Sequence, residues 1–244
     1  LLFIKDKMNP AAVAAPVEDV QGDGRWMSLH HLFLNEAKER EPEVIFIGDS
    51  IVSNLAQTQL WQQMFEPLHC INFGIGGDQT QHILWRIQNG ELEDMRPKVV
   101  VLMVGTNNHG HTAEQIVGGI TEIVNLIHTK QPQAQLIVMG IPPRGEKPNP
   151  LREKIQQINK SLADQLQDMP NTLFLNTDWS VFVNSNGVIN HHDMFDFLHL
   201  TQIGYQKICE PLLEEIQNYL QTFIKVESTS IETASMAGEL AGDK

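Results

Sequence analysis

Three short polar motifs in this 244-residue chain each follow an apolar run that reads as a β-strand. Val44-Ile45-Phe46-Ile47 leads into Gly48-Asp49-Ser50, and Cys70-Ile71-Asn72-Phe73 into Gly74-Ile75-Gly76-Gly77-Asp78. Val99-Val100-Val101-Leu102-Met103-Val104 leads into Gly105-Thr106-Asn107-Asn108. In an open parallel sheet ligands bind beyond the carboxyl ends of the strands, so three such motifs are expected to converge on one site. A fourth element, Asp196-Phe197-Leu198-His199, supplies a carboxylate and an imidazole three residues apart. Together the four hold a hydroxyl nucleophile, donors for a developing oxyanion, a base and an acid to orient it. That is the equipment of acyl transfer.

Ser50 falls where the first strand turns into a helix, a place that exposes a hydroxyl and favours developing negative charge. The same position suits a plain helix cap, so Gly-Asp-Ser alone leaves both roles open. The motif is not a Gly-x-Ser-x-Gly elbow, because Val52 stands in place of the second glycine. Among ten histidines His199 is the best base. Asp196, three residues before it, would lie on the same side of a helical turn and hold the tautomer whose other ring nitrogen accepts the serine proton. Gly77 would let the backbone come close to a tetrahedral intermediate, and the Asn107 amide offers a second donor.

Two other constellations compete. His191-His192-Asp193 and His109-Gly110-His111 resemble metal ligands, but no third and fourth ligands stand at a recognisable spacing. Gly74-x-Gly76 resembles the start of a dinucleotide loop, but Gln79 occupies the place of the third glycine and the motif follows the second strand rather than the first.

The elements that must carry these residues alternate. After a helix over 26–38, strands over 43–47, 69–73, 98–104, 135–141 and 172–176 are separated by helices near 52–65, 79–90 and 150–168 and by one that starts at Thr112, and a last helix covers 201–222. The helix after the third strand is the best signalled. Thr112 with Gln115 forms a capping box, and Ile116, Ile120, Ile123 and Ile127 follow on one face. Strict alternation predicts one three-layer α/β/α domain, residues 25–225, around a parallel sheet. Residues 1–24, rich in Ala, Pro, Gly and Asp, are expected to form a flexible arm, and 226–244 a disordered tail.

The bulk composition fits. Hydrophobic residues at 41% and charged residues at 19% are ordinary for a globular protein. A formal charge of −13 argues against nucleic acid or an anionic membrane surface as the main partner. The two cysteines, Cys70 and Cys209, stand in no redox or metal spacing, which points to a reduced, cytoplasmic setting. Leu1-Leu2-Phe3-Ile4 is too short for a signal peptide, Met8 reads as a natural start, and no apolar stretch is long enough to cross a bilayer.

With these residues assembled, the chain resembles the SGNH (GDSL-like) hydrolase superfamily, whose four blocks donate Ser, Gly, Asn and His. Ser50, Gly77, Asn107 and Asp196-x-x-His199 match them in order. The likeness is closer still to the catalytic α subunits of the type Ib platelet-activating-factor acetylhydrolases, and runs from about Asn9 to Leu220. It is strongest in Leu68–Trp85, Val104–Glu114, Pro142–Arg152 and His192–Leu200. The resemblance implies a five-stranded parallel sheet of flavodoxin-like order and a Ser50–His199–Asp196 triad. It also implies an oxyanion hole made by the Ser50 and Gly77 amides and the Asn107 side chain. Ile51, Thr106 and Leu198 would close a small acyl pocket. The activity implied is removal of the sn-2 acetyl group of 1-alkyl-2-acetyl-glycerophosphocholine, without metal or cofactor. The partners implied are a second α subunit, as a homodimer or heterodimer, and a WD40-repeat regulatory protein of the lissencephaly type. The alternatives are a non-catalytic scaffold subunit that keeps the fold, or another SGNH activity such as a carbohydrate acetylesterase or a lysophospholipase.

Overall fold

The computed structural model describes residues 8–241, with side chains over 8–226. The apolar run at Leu1–Ile4 therefore lies outside the described residues. Helix α1 (Arg25–Glu39) precedes β1 (Val44–Gly48), α2 (Ser50–Leu55), β2 (Cys70–Gly74), α3 (Thr80–Arg86) and β3 (Val99–Met103). Then follow α4 (Ala113–Lys130), β4 (Gln135–Met139), α5 (Pro150–Leu166), β5 (Thr172–Leu175) and α6 (Gln202–Ala241). All strand pairs are parallel and the sheet order is β2-β1-β3-β4-β5. This is the flavodoxin-like order, with its switch point between β1 and β3, where adjacent chain connections leave in opposite directions and open a crevice.

Strand side chains alternate between two cores, as the pleat requires. Ile45, Ile47, Val100, Leu102, Leu136 and Val138 face one core, filled by apolar residues of α1, α3, α4 and α5. Val44, Phe46, Val101, Met103, Ile137 and Met139 face the other, filled by α2 and the first half of α6. The apolar strands are thus buried on both faces, which is why they read as unbroken runs rather than alternating ones. The Thr112–Gln115 capping box forms as expected.

Four segments depart from the sequence reading. The helix expected over 52–65 stops at Leu55, because Thr58 accepts a hydrogen bond from the Trp61 amide through its hydroxyl and starts a separate turn, Trp61–Phe65. The helix expected over 79–90 loses regular geometry after Arg86, and the chain turns at Gly90 with φ of 110°. Residues 9–15, expected to be flexible, are seated on α3 and α4. Asn9 Nδ2 donates to the Gln115 carbonyl (2.8 Å), and the Thr80 hydroxyl donates to the carbonyl of the buried Ala11 (2.6 Å). Gly119 permits this approach, since a Cβ there would lie 2.4 Å from the Ala11 oxygen. At the other end the backbone of α6 continues past Val226, where the tail was expected to lose order, to Ala241.

Candidate active site

The β1–α2 turn decides what Ser50 can do. Asp49, not Ser50, is the N-cap of α2, and its Oδ1 accepts a hydrogen bond from the Ile51 amide at 2.9 Å. The Ser50 hydroxyl is thereby free of capping duty. It lies 3.0 Å from His199 Nε2. His199 Nδ1 in turn lies 2.6 Å from Asp196 Oδ2. With the Nδ1 proton donated to that carboxylate, Nε2 is left as the acceptor for the hydroxyl proton. Residues 149 apart in sequence therefore form one hydrogen-bonded series.

The geometry of the last block differs from the helical turn its spacing suggested. Asp196–His199 is an irregular loop in which Asp196 Oδ1 accepts from the Leu198 and His199 amides at 3.1 and 2.7 Å. Phe197 sits at φ 60°, a left-handed conformation uncommon for an aromatic residue. Short-range polar capture by Asp196, rather than helix periodicity, brings acid and imidazole together. Burial pulls the Asp196 carboxyl upward, but hydrogen bonds from the His199 ring and from the His199 and Leu198 amides outweigh it and hold the carboxyl below its ordinary value.

Gly76 and Gly77 lie on the turn after β2, and a Cβ at Gly76 would stand 3.8 Å from Ser50 Cβ. Gly77 has φ of 85°, a left-handed conformation that favours glycine, and open space on its Cβ side. Asn107, after β3, donates through Nδ2 to the Asp78 carbonyl at 3.1 Å. That bond fixes the orientation of the amide and leaves a second N–H of the same nitrogen available. Neighbouring Asn108 is buried and clamps the β2–α3 turn, accepting from the Thr80 amide and donating to the Thr80 hydroxyl.

Three further residues flank the series. Ile51 is packed in the core beneath α6, and the Tyr205 hydroxyl donates to its carbonyl at 2.6 Å. Thr106 is buried and receives two hydrogen bonds from Arg144, on its carbonyl and on its hydroxyl (2.9 and 3.1 Å). Leu198 is half-buried on the loop. Gly145, next to Arg144, donates its amide to the Phe197 carbonyl, so one short segment braces both Thr106 and the histidine loop.

Sequence reasoning missed the support beneath the turn. Buried Asp78 follows Gly77, and its Oδ1 accepts from Trp26 Nε1 at 2.7 Å. Its Oδ2 lies 2.9 Å from Arg86 Nε, a charge contact without hydrogen-bond alignment. Arg86 donates to Glu91 (2.7 Å), to the Phe73 carbonyl (3.0 Å) and to the Gly48 carbonyl (3.4 Å). Glu91 also meets His30 Nδ1 at 2.9 Å. Burial raises the Asp78 carboxyl to about 6 against the pull of Arg86 and Trp26, and raises Asp49 to about 7. Burial opposes the Arg86 charge, but Glu91 and Asp78 more than offset it. The signal in the sequence was Trp26 and His30, four apart on one helix, and an arginine embedded in an apolar run, Ile83-Leu84-Trp85-Arg86-Ile87.

Among the described residues no group of three or more His, Cys, Asp or Glu side chains converges as a metal site would need. His111 Nδ1 instead meets Asn108 Nδ2, and the His109 and His111 carbonyls accept from Lys154. His191 packs its ring on Phe197 at 4.5 Å. No helix among the described residues is long and apolar enough to cross a membrane.

Comparison with known proteins shows the family. Residues 46–207 match the GDSL-like Lipase/Acylhydrolase family. Over 204 residues the chain is 57% identical to platelet-activating factor acetylhydrolase IB subunit alpha1 of Homo sapiens, covering 84% of this chain and 88% of that protein. Over 223 residues it is 54% identical to the human subunit alpha2, covering 91% and 97%. A GDSL-like lipase from Bacteroides thetaiotaomicron shares the fold with a TM-score of 0.65 at 20% identity, covering 76% of this chain and 97% of its own. An acetylxylan esterase from Geobacillus stearothermophilus does so with a TM-score of 0.56 at 20% identity, covering 73% and 96%. The chain belongs to the GDSL-like lipase/acylhydrolase family, beside the platelet-activating factor acetylhydrolase IB α subunits, and is an ester hydrolase.

Proposed function

We propose that the protein hydrolyses acetyl esters, foremost the sn-2 acetyl ester of 1-alkyl-2-acetyl-glycerophosphocholine, through an acyl-enzyme on Ser50. The observation that carries this reading is the Ser50–His199–Asp196 series, with contacts of 3.0 and 2.6 Å. His199 Nε2 takes the Ser50 proton as Oγ attacks the carbonyl, and Asp196 stabilises the imidazolium that results. His199 then gives that proton to the departing alcohol, leaving acetyl-Ser50. A water, deprotonated by the same nitrogen, releases acetate and restores the hydroxyl.

The tetrahedral oxyanion is held by the amides of Ser50 and Gly77 and by Asn107 Nδ2. The positive φ of Gly77 and the fixed amide of Asn107 support this assignment. No metal or cofactor is required. A cavity of about 540 Å³ between Gly76-Gly77 and the segment 17–29 offers room for the leaving alcohol. Ile51, Thr106 and Leu198 crowd the acyl side.

The relatives are named as subunits, which supports assembly of this chain with a second copy or a related α subunit. A WD40-repeat regulatory partner and a cytoplasmic location complete the reading. Two buried free cysteines suit a reducing compartment.

The test is turnover across acetyl, butanoyl, hexanoyl, long-acyl and sugar esters. A longer acyl chain must displace packed side chains, at roughly 1–3 kcal/mol. Acetyl esters should therefore be preferred to hexanoyl by about 10- to 100-fold in kcat/KM. Leu198→Ala should shrink that ratio while acetyl turnover stays largely intact. An unchanged ratio removes Leu198 from the pocket, and absence of ester turnover favours the scaffold alternative.

A further inference from the structure

The polar chain beneath the Gly76-Gly77 turn is more elaborate than the fold requires. It begins on α1 at Trp26 and His30, and runs through Asp78, Arg86 and Glu91, every one of the last three fully buried. Burying two carboxylates and a guanidinium is costly, and apolar residues of the same volume commonly stabilise a core as well or better. The chain ends on the catalytic turn. Asp78 is joined by one peptide bond to Gly77, and its carbonyl receives Asn107 Nδ2. Arg86 reaches the Phe73 and Gly48 carbonyls, the latter two residues before Ser50.

We propose that Trp26, Asp78, Arg86 and Glu91 are positioning residues that set the oxyanion donors Gly77 and Asn107 against the nucleophile turn. This rests on the oxyanion hole assigned under the proposed function. Asp78 is the joint. Its side chain is held from two directions, by Trp26 Nε1 and by the Arg86 charge, and its backbone carries both donors. An oxyanion donor must stand at hydrogen-bond distance from where the charge develops, so rotation of this one residue misplaces two donors at once. Burial pushes the Asp78 carboxyl up, and the two partners that aim it, Arg86 and Trp26, oppose that rise.

The experiment uses Trp26→Phe, which removes the Nε1 donor while keeping a ring against His30 and Trp85. Turnover of a short acetyl ester is expressed per active site, titrated with a fluorophosphonate, in wild-type and Asn107→Ala backgrounds. The expected result is a roughly tenfold lower kcat with KM within about twofold in the wild-type background, and less than a twofold further loss in Asn107→Ala, since residues acting through one unit are not additive. Glu91→Gln, which keeps shape and drops the charge facing Arg86, should act in the same direction with a smaller loss. Unchanged kcat per titrated site, or the same fold-loss in both backgrounds, would overturn the proposal and leave the network a purely structural one. Wild-type protein that neither labels nor turns over would instead overturn the esterase reading, and the positioning role would fall with it.

Discussion

Gly48, Asp49, Ile51 and Val52, the neighbours of Ser50, are all buried, whereas the acid and base sit on a loop with 43% of the Asp196 and 24% of the His199 side chain exposed. The nucleophile turn packs Ile51 and Val52 into the core beneath α6, and Arg86 donates to its Gly48 carbonyl. The histidine loop has no regular element. It is held by the Asp196 turn, a bridge between Met194 and Leu200, the Gly145–Phe197 bond and the Lys207–Asp193 ion pair at 2.7 Å. In the proposed mechanism the difference separates two tasks. The charge-stabilising side must be rigid before substrate arrives, because preorganised donors do not reorganise during reaction. The proton-transferring side must exchange protons with solvent and bend by fractions of an ångström, which an exposed loop allows.

If that division holds, chemistry and stability should come apart when the two sides are mutated. His199→Ala should lower kcat by about 10⁴-fold or more, while the thermal midpoint stays within a few degrees, since the ring is part-exposed and its loop is held by other contacts. Activity assays paired with thermal melts check this, and a large drop in midpoint would place the loop among the fold's supports. Arg86→Ala should do the reverse. It strands Asp78 and Glu91 without their cation and should cost roughly 3–5 kcal/mol in a denaturant titration. A cost below about 1 kcal/mol would mean the buried side is not held as described.

The smallest expected effect sharpens the comparison through pH. Asp49 has its carboxyl raised to about 7 by burial, against an ordinary value of 3.8 in the unfolded chain. Between about pH 4 and 7 the folded state therefore binds more protons than the unfolded chain at this group. Its contribution to stability falls as pH rises through that window. Asp49→Asn can still cap α2 through its side-chain oxygen but cannot titrate. Unfolding free energies measured between pH 4.5 and 7.5 should decline less steeply in the variant than in wild type, and parallel curves would contradict the buried-carboxyl assignment.

Most of what positions Ser50 was legible because it is local. Strands buried on both faces appear as apolar runs, and each functional motif follows directly at the strand's carboxyl end. The capping box at Thr112–Gln115 is likewise written in adjacent residues. What escaped the sequence is long-range or exceptional. Glu91 pairs with His30 across 61 residues, and Asn9 with Gln115 across 106, and in each case an isolated polar residue looks like ordinary surface. The Asp196–His199 spacing was compatible with a helix, but capture of two backbone amides by Asp196 and the left-handed Phe197 won locally. Thr58 broke an otherwise continuous helical pattern through one hydroxyl.

The central claim is that Ser50 is the nucleophile on which the acyl group is carried. Its most direct test is intact-mass and peptide-level mass spectrometry of the protein treated with a fluorophosphonate. One adduct per chain, mapped to the peptide carrying Ser50, is predicted, with loss of esterase activity in proportion to labelling. Ser50→Ala should fold and take up no label. An adduct on a different serine, or Ser50→Ala protein that still labels and hydrolyses acetyl esters at more than a few per cent of the wild-type rate, would contradict the account.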